Sequence, residues 1–175
     1  KFKNKVIAIT GASGYIGSAL VSELEKNSVK KLIRVSKKKL KAQGNVEDWN
    51  IGLSDLDSWR KIVNQSDIIF HLSGNTSIAA AEKNPENSLN AEILPIMNLI
   101  NAAKELSKKP RFIYASTATI YGLTQEFPVS EDRVPFPMTY YDTNKLSAEK
   151  KLIMASRQNI IEPVSLRLAN VYGPS

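Results

Sequence analysis

The sequence predicts an α/β protein built on a doubly wound parallel sheet, with six strands in the order 3-2-1-4-5-6. Three observations carry that prediction. Short runs rich in β-branched residues alternate with longer stretches of helical period, the pattern of parallel strands joined by right-handed helical crossovers. The runs Val6-Ile7-Ala8-Ile9 and Asp67-Ile68-Ile69-Phe70 are almost continuously apolar, which suits strands covered on both faces. Between the first strand and the first helix, glycines recur at Gly11, Gly14 and Gly17.

A strand over 6–10 runs into that glycine turn, and a helix over 15–26 follows. The second strand spans 32–36. A weaker one lies near 49–51, ahead of a helix over 56–64. The fourth strand covers 67–72 and leads to a short helical stretch at 78–81 and a long helix over 89–107. A fifth strand is expected over 111–116. Residues 123–138 contain Pro128, Pro135 and Pro137 and form the longest irregular stretch, and loops of that length more often serve function than fill space. A helix over 141–157 and a strand over 164–168 complete two βαβαβ halves.

Composition narrows the chemistry. With no cysteine, disulfides, thiolate metal sites and cysteine nucleophiles are excluded. A single histidine, His71, excludes a histidine-cluster metal site, so no metal is expected. No apolar run approaches the ~20 residues that span a bilayer. The first residues lack a secretory signal, so a cytoplasmic protein without a membrane partner is expected. The net charge of +7 raises the question of nucleic acid. The lysines fall at Lys30–Lys31, Lys37–Lys41, Lys108–Lys109 and Lys150–Lys151, without interleaved aromatics, and read as solvated turns and helix ends. No specific nucleic-acid partner is expected.

The turn Gly11-Ala12-Ser13-Gly14-Tyr15-Ile16-Gly17 has a mechanism. Glycines let the backbone approach a pyrophosphate, and the following helix offers free N–H groups and the positive end of its dipole. Gly17 lets that helix pack close to the strand. Further along, Tyr141 and Lys145 stand at i and i+4, on one face of a helix that Thr139 would cap with Asp142 three residues on. An ammonium near a phenol favours phenolate, so the pair could exchange a proton with a substrate hydroxyl. Tyr140 lies off that face. His71 ends a strand without a partner group in the sequence and reads as structural or pocket-lining.

These motifs together resemble the extended short-chain dehydrogenases/reductases, the NAD(P)-dependent epimerase/dehydratase family. GASGYIG is similar to the family's cofactor loop in its Rossmann fold. Asp67-Ile68-Ile69-Phe70-His71-Leu72-Ser73-Gly74 resembles its fourth strand and the turn against the cofactor. Asn84-Pro85 to Ala103 resembles its long central helix, RFIYASTATIYG its fifth strand and catalytic turn, and RLANVYGP its sixth strand and the turn beyond. The resemblance runs from near Lys5 to Pro174. It implies Tyr141 as acid/base, Lys145 tuning Tyr141 and binding the nicotinamide ribose, and Thr117 orienting the sugar oxygen, with Ser116 as the alternative. It further implies a cofactor cradle of Gly11, Ser13, Gly14, Tyr15, Ile16, Gly17, Leu72, Ser73, Gly74 and Lys145.

The pattern also departs from the family in ways that bear on function. NAD sites carry an acid about 20 residues past the glycines. Here Ser36 stands 19 residues beyond Gly17 and is followed by Lys37 and Lys38. NADP is therefore favoured over NAD, with Ser36, Lys37 and Arg34 placed near the 2′-phosphate. The acid usually beside adenine is replaced by Gly52, with Asp48 and Asp55 as neighbours. Sugar-nucleotide 4,6-dehydratases follow the catalytic threonine with Asp-Glu, whereas Ala118-Thr119 stand here. That leaves a 4-epimerase or 4-ketoreductase acting on a nucleotide-linked sugar. The missing acid points to reduction and the catalytic turn to epimerisation. The rival reading is a non-catalytic NAD(P)-binding regulator on the same fold. A homodimer through the helices at 89–107 and 141–157 is expected. The chain starts at Lys1 and stops after Tyr172-Gly173-Pro174. It reads as the cofactor-binding domain, 1–175, with catalytic residues, lacking a C-terminal substrate lobe and turning over sugar poorly by itself.

Overall fold

A computed structural model describes residues 2–38, 44–74, 76–125 and 127–173. Six parallel strands form one sheet in the order β3-β2-β1-β4-β5-β6, as the alternation of runs predicts. They are β1 Val6–Thr10, β2 Lys31–Val35, β3 Val46–Trp49, β4 Ile68–His71, β5 Arg111–Thr117 and β6 Glu162–Leu168. The helices are α1 Tyr15–Glu25, α2 Leu56–Gln65, α3 Ile78–Lys83, α4 Pro85–Glu105 and α5 Tyr140–Arg157.

The consecutive apolar residues of the strands are divided between two cores. Ile7, Ile9, Leu32 and Ile113 face α1, where Val21 and Leu24 meet them. Ala8, Ile33, Val35, Ile69, Phe112 and Tyr114 face the other way, against Trp59, Ile62, Leu99, Ala148 and Leu152 of α2, α4 and α5. Alternation of side chains across a strand makes both sets necessary.

Two boundaries differ from the sequence reading for physical reasons. β3 lies at Val46–Trp49 rather than near 49–51, because its register pairs Val46 with Leu32 and Trp49 with Val35. The strand is short and half polar, so periodicity could not place it. Helix α4 begins at Pro85, four residues before its apolar run, because the Asn84 side chain accepts the Asn87 N–H and caps it. Proline is well suited to the first helical position. The functional consequence of the topology lies at the C-terminal edge. The strand order reverses between β1 and β4, and the segments after β1, β4 and β5 leave the sheet there. Ligands bind open α/β sheets at such a switch point.

Candidate active site

The glycine loop hangs from the sheet by backbone. Gly11 turns the chain with φ +72°. The Gly11 and Ala12 N–H groups donate to the Val35 carbonyl at 3.0 and 3.3 Å. A Cβ on Gly11 would lie 2.8 Å from the Ser73 nitrogen and 2.9 Å from the Leu72 carbonyl, so the loop is pressed against the segment leaving β4. One on Gly17 would lie 2.1 Å from the Gly11 oxygen. The fold itself therefore demands these two glycines.

Gly14 is different. It is exposed, and a Cβ there would meet only the Gly11 oxygen, at 3.2 Å. It caps α1 in an extended conformation without a side-chain hydrogen bond. Asp55, Ser77, Asn84 and Thr139 cap α2, α3, α4 and α5 with their side chains. The first-turn N–H groups of Tyr15 and Ile16 are thus left for a ligand, with Ser13 half-buried beside them. Uncapped donors and an approach free of side chain suit a pyrophosphate. The Tyr15 hydroxyl donates to the Gly173 carbonyl at 2.7 Å, which brings the turn after β6 against the start of α1.

At the neighbouring strand end, Ser36 is half-buried and Lys37 and Lys38 are exposed. The Ser36 hydroxyl donates to the Lys38 carbonyl. Of the expected run Lys37–Lys41, residues 39–41 lie outside the described residues, as does Pro174. Arg34 is buried in β2, donating to Asp48 through Nε at 2.7 Å and Nη2 at 2.9 Å, and to Glu25 at 3.1 Å. Its guanidinium ties β2, β3 and α1 together. Asp48 is spent on that tie, and Asp55 accepts the Ser58 N–H as the α2 cap.

The residues expected to carry chemistry converge on the ends of β4 and β5. Thr139 and Asp142 form a reciprocal cap. The Asp142 N–H donates to Thr139 Oγ1 at 3.1 Å, and the Thr139 hydroxyl returns to Asp142 Oδ2 at 2.7 Å. Asp142 Oδ1 accepts the Thr119 hydroxyl. Because a carboxylate only accepts, the Thr119 proton is committed to it. The 2.9 Å contact between Thr117 and Thr119 is therefore donated by Thr117. Thr117 also accepts the Thr119 N–H at 3.2 Å.

Burial pushes that phenol above its ordinary value, and the negative charges of Glu92 and Asp142 add to the push. The Thr117 hydroxyl pulls the other way, but as the smallest of the causes. Lys145 does not reverse the direction. Its ammonium lies 5.8 Å from the centre of the Tyr141 ring and donates to Glu92 and to the Ala115 carbonyl, both at 2.9 Å. The net direction for Tyr141 is upward, with burial as its first cause.

Ser116 is engaged elsewhere. Its hydroxyl donates to Glu149, which also holds Arg167 of β6 at 2.9 Å. Tyr140 is half exposed, as its place off the Tyr141–Lys145 face implies. His71 is buried and stacked on Phe112 and Tyr114. Thr10 Oγ1 bonds its Nδ1 at 2.7 Å and accepts from Ser73 at 2.9 Å. Burial and the Lys145 charge lower its pKa to about 3, so it stays neutral and is no base. Sequence reasoning missed Glu92. The signal available was an acid directly before the apolar run Ile93-Leu94-Pro95-Ile96, at a position that the helix buries.

Comparison with known proteins agrees with this geometry. The profile of the NAD dependent epimerase/dehydratase family matches residues 7–175. The UDP-glucose 4-epimerase of Mycoplasma genitalium is 27% identical over 95% of this chain and 53% of its own length. The solved UDP-glucose 4-epimerase of Thermotoga maritima, with UDP-glucose, superposes with a TM-score of 0.85 at 29% identity, over 97% of this chain and 57% of that one. The UDP-N-acetylglucosamine 4-epimerase of Methanobrevibacter ruminantium, in complex with UDP-N-acetylmuramic acid, does so at 0.87 and 27%, over 98% and 57%. The chain spans little more than half the length of these relatives. A loop that leaves α1 without a side-chain cap, a lysine of α5 reaching the end of β5, and a family profile matching residues 7–175 lead to one conclusion: the chain belongs to the NAD dependent epimerase/dehydratase family.

Proposed function

We propose that this chain is the cofactor-binding and acid–base part of a 4-epimerase acting on a nucleotide-linked sugar. The observation that carries the reading is that Lys145, one turn beyond Tyr141 on α5, reaches the Ala115 carbonyl of β5, at the same end of the sheet as Thr117 and the uncapped glycine loop. Relatives whose names specify UDP-sugar 4-epimerisation support the reaction type. Gly14, with the N–H groups of Tyr15 and Ile16, would hold the pyrophosphate. Gly11 and Gly17 shape that cradle, and Ser73 and Gly74 close it. Lys145 would hold the nicotinamide ribose. The bound nicotinamide supplies a reversible hydride acceptor for C4 of the sugar.

The protein's own part is proton handling. Tyr141 gives a proton to the C4 oxygen, or takes one from it, and Thr117 fixes that oxygen's position. The Asp142–Thr119 chain draws the Thr117 hydroxyl hydrogen toward Thr119, so Thr117 would present a lone pair and accept from the C4 hydroxyl of the sugar. Ala118 and Thr119 provide no group that could manage water loss, which favours epimerisation over dehydration. In the full-length enzyme, Tyr141→Phe should leave the dinucleotide Kd unchanged and lower kcat on UDP-hexoses at least ~100-fold. Turnover at the wild-type rate would refute the assignment.

The preferred dinucleotide is read as NADP. Ser36 leaves the ribose 2′ position without an acid, and Lys37 and Lys38 are exposed next to it. Separate Kd measurements for NADP and NAD should give tighter NADP binding, weakened by Lys37→Glu. Tighter NAD binding would reverse the reading. A homodimer through α4 and α5 is part of the proposal. Leu89, Leu94 and Met97 on α4 and Ile153 and Met154 on α5 are exposed apolar side chains.

A further inference from the structure

Helix α5 carries Tyr141, Lys145 and Glu149 at successive steps of four, along one face. Two of them grip the end of β5. The Lys145 ammonium donates to the Ala115 carbonyl at 2.9 Å, and one turn later Glu149 Oε1 accepts the hydroxyl of Ser116. Ser116 directly precedes Thr117, and its hydroxyl is committed to the helix.

Glu149 is 2% exposed, and its charge is met from the neighbouring strand. Arg167 of β6 is the register partner of Ser116. Its Nη2 donates to Glu149 Oε2 at 2.9 Å, and its Nε lies 3.2 and 3.3 Å from the two carboxylate oxygens. Its Nη1 reaches the far end of the turn after β5, donating to the Tyr121 hydroxyl at 2.6 Å and to the Glu131 carbonyl at 2.9 Å. The Tyr121 hydroxyl also donates to that carbonyl, at 3.1 Å. The Phe136 N–H donates to the Ile120 carbonyl at 2.9 Å, so the irregular stretch is tied to the same turn. One guanidinium thus joins α5 and the irregular stretch to the turn that holds Thr117.

An apolar pair of equal volume often packs two elements as well as a buried ion pair does. What it lacks is direction. A planar guanidinium with its donors in a fixed fork sets both distance and angle. Slippage of α5 along β5 would break the Ser116–Glu149 and Glu149–Arg167 contacts together. It would also carry Tyr141, about two turns earlier on the same face, past Thr117.

We propose that Glu149 and Arg167 are positioning residues of the reaction centre: together they fix the register of α5 on β5, and with it the separation of Tyr141 from Thr117. The inference rests on the reading of those two as the acid–base and oxygen-orienting groups, but its first test reads geometry and not turnover.

Arg167→Lys, in the full-length enzyme, keeps a charge beside Glu149 and gives up the fork that reaches Tyr121 and Glu131. In crystals of the two proteins superposed on the sheet, the Tyr141 hydroxyl should move by about 1 Å relative to Thr117, a misplacement that can cost ~100-fold in rate. The kcat on UDP-hexoses should fall at least ~10-fold. The dinucleotide Kd should not change, because Arg167 bonds to α5 and to the turn after β5 and not to the glycine loop. A merely structural role would lower the thermal midpoint and leave kcat per folded molecule at the wild-type value. An unmoved Tyr141 hydroxyl overturns the proposal, and so does a wild-type kcat in Arg167→Lys when Tyr141→Phe is inactive. Should Arg167→Lys fail to fold, Tyr121→Phe removes one hydroxyl from the guanidinium and should lower kcat several-fold, and a wild-type kcat there overturns the proposal. If the Tyr141 hydroxyl moves while Tyr141→Phe keeps full turnover, the registration stands and the acid–base reading falls.

Discussion

His71 illustrates what a single residue contributes. As the protein's one histidine it invites a catalytic reading, but its ring is enclosed by Trp59, Phe112 and Tyr114. Its folded-state pKa of about 3 lies below the ordinary 6.5. The unfolded chain therefore takes up a proton that the folded chain refuses, and stability falls as pH drops below about 6.5 toward 3. The expected loss from this residue approaches ~1.4 kcal/mol per pH unit within that window. Denaturant unfolding between pH 7 and pH 5 checks it. His71→Phe should show a slope shallower by one proton, and equal slopes would place the pH dependence elsewhere. The strand-end position that made His71 read as structural was legible in the sequence. The roles of Arg34 and Glu92 were not, because their partners Asp48 and Lys145 lie 14 and 53 residues away and meet them only across strands and helices.

Among the elements, the turn joining β1 to α1 separates fold from function within one motif. Gly17→Ala places a Cβ against the Gly11 carbonyl and forces backbone to move, with an expected cost of about 3 kcal/mol or more. Gly14→Ala meets only a tight contact and should cost about 1 kcal/mol or less. Its effect should appear in the dinucleotide Kd, raised at least about tenfold, because the new methyl occupies the ligand's approach. Thermal unfolding together with a binding titration distinguishes the two variants. If Gly14→Ala binds normally, the pyrophosphate does not lie over that position. The spacing of the glycines was readable from the sequence. Which glycine serves the sheet and which serves a ligand became clear only from what lies beside each one. Helix α5 makes the same point. Its Thr139–Asp142 cap follows from local pattern, whereas the link from Asp142 through Thr119 to Thr117 needs the single 3-10 turn Ala118–Tyr121 folded against the helix start.

At the scale of the whole molecule, the two apolar cores leave exposed side chains on α4 and α5 on the side away from the sheet. A second copy would cover Leu94, Met97 and Ile153. Light scattering should then give twice the 19.4 kDa of one chain, and Met97→Glu should return it to one. A wild-type monomer at micromolar concentration would remove the dimer from the proposal. The sequence by itself determined the fold class, the strand order and the family. Those rest on periodicity and short motifs, which are local and repeat in chain order. Spacing within one helix paired Tyr141 with Lys145, and resemblance to the family set Thr117 beside them in a candidate role. The tertiary structure decided the electrostatics of the site. It tied Arg34 to Asp48 and Glu25, aimed the Thr117 hydroxyl at Thr119, and set Glu92 against Lys145. Charge interactions depend on distance and burial, and neither exists until strands and helices distant in sequence are packed together.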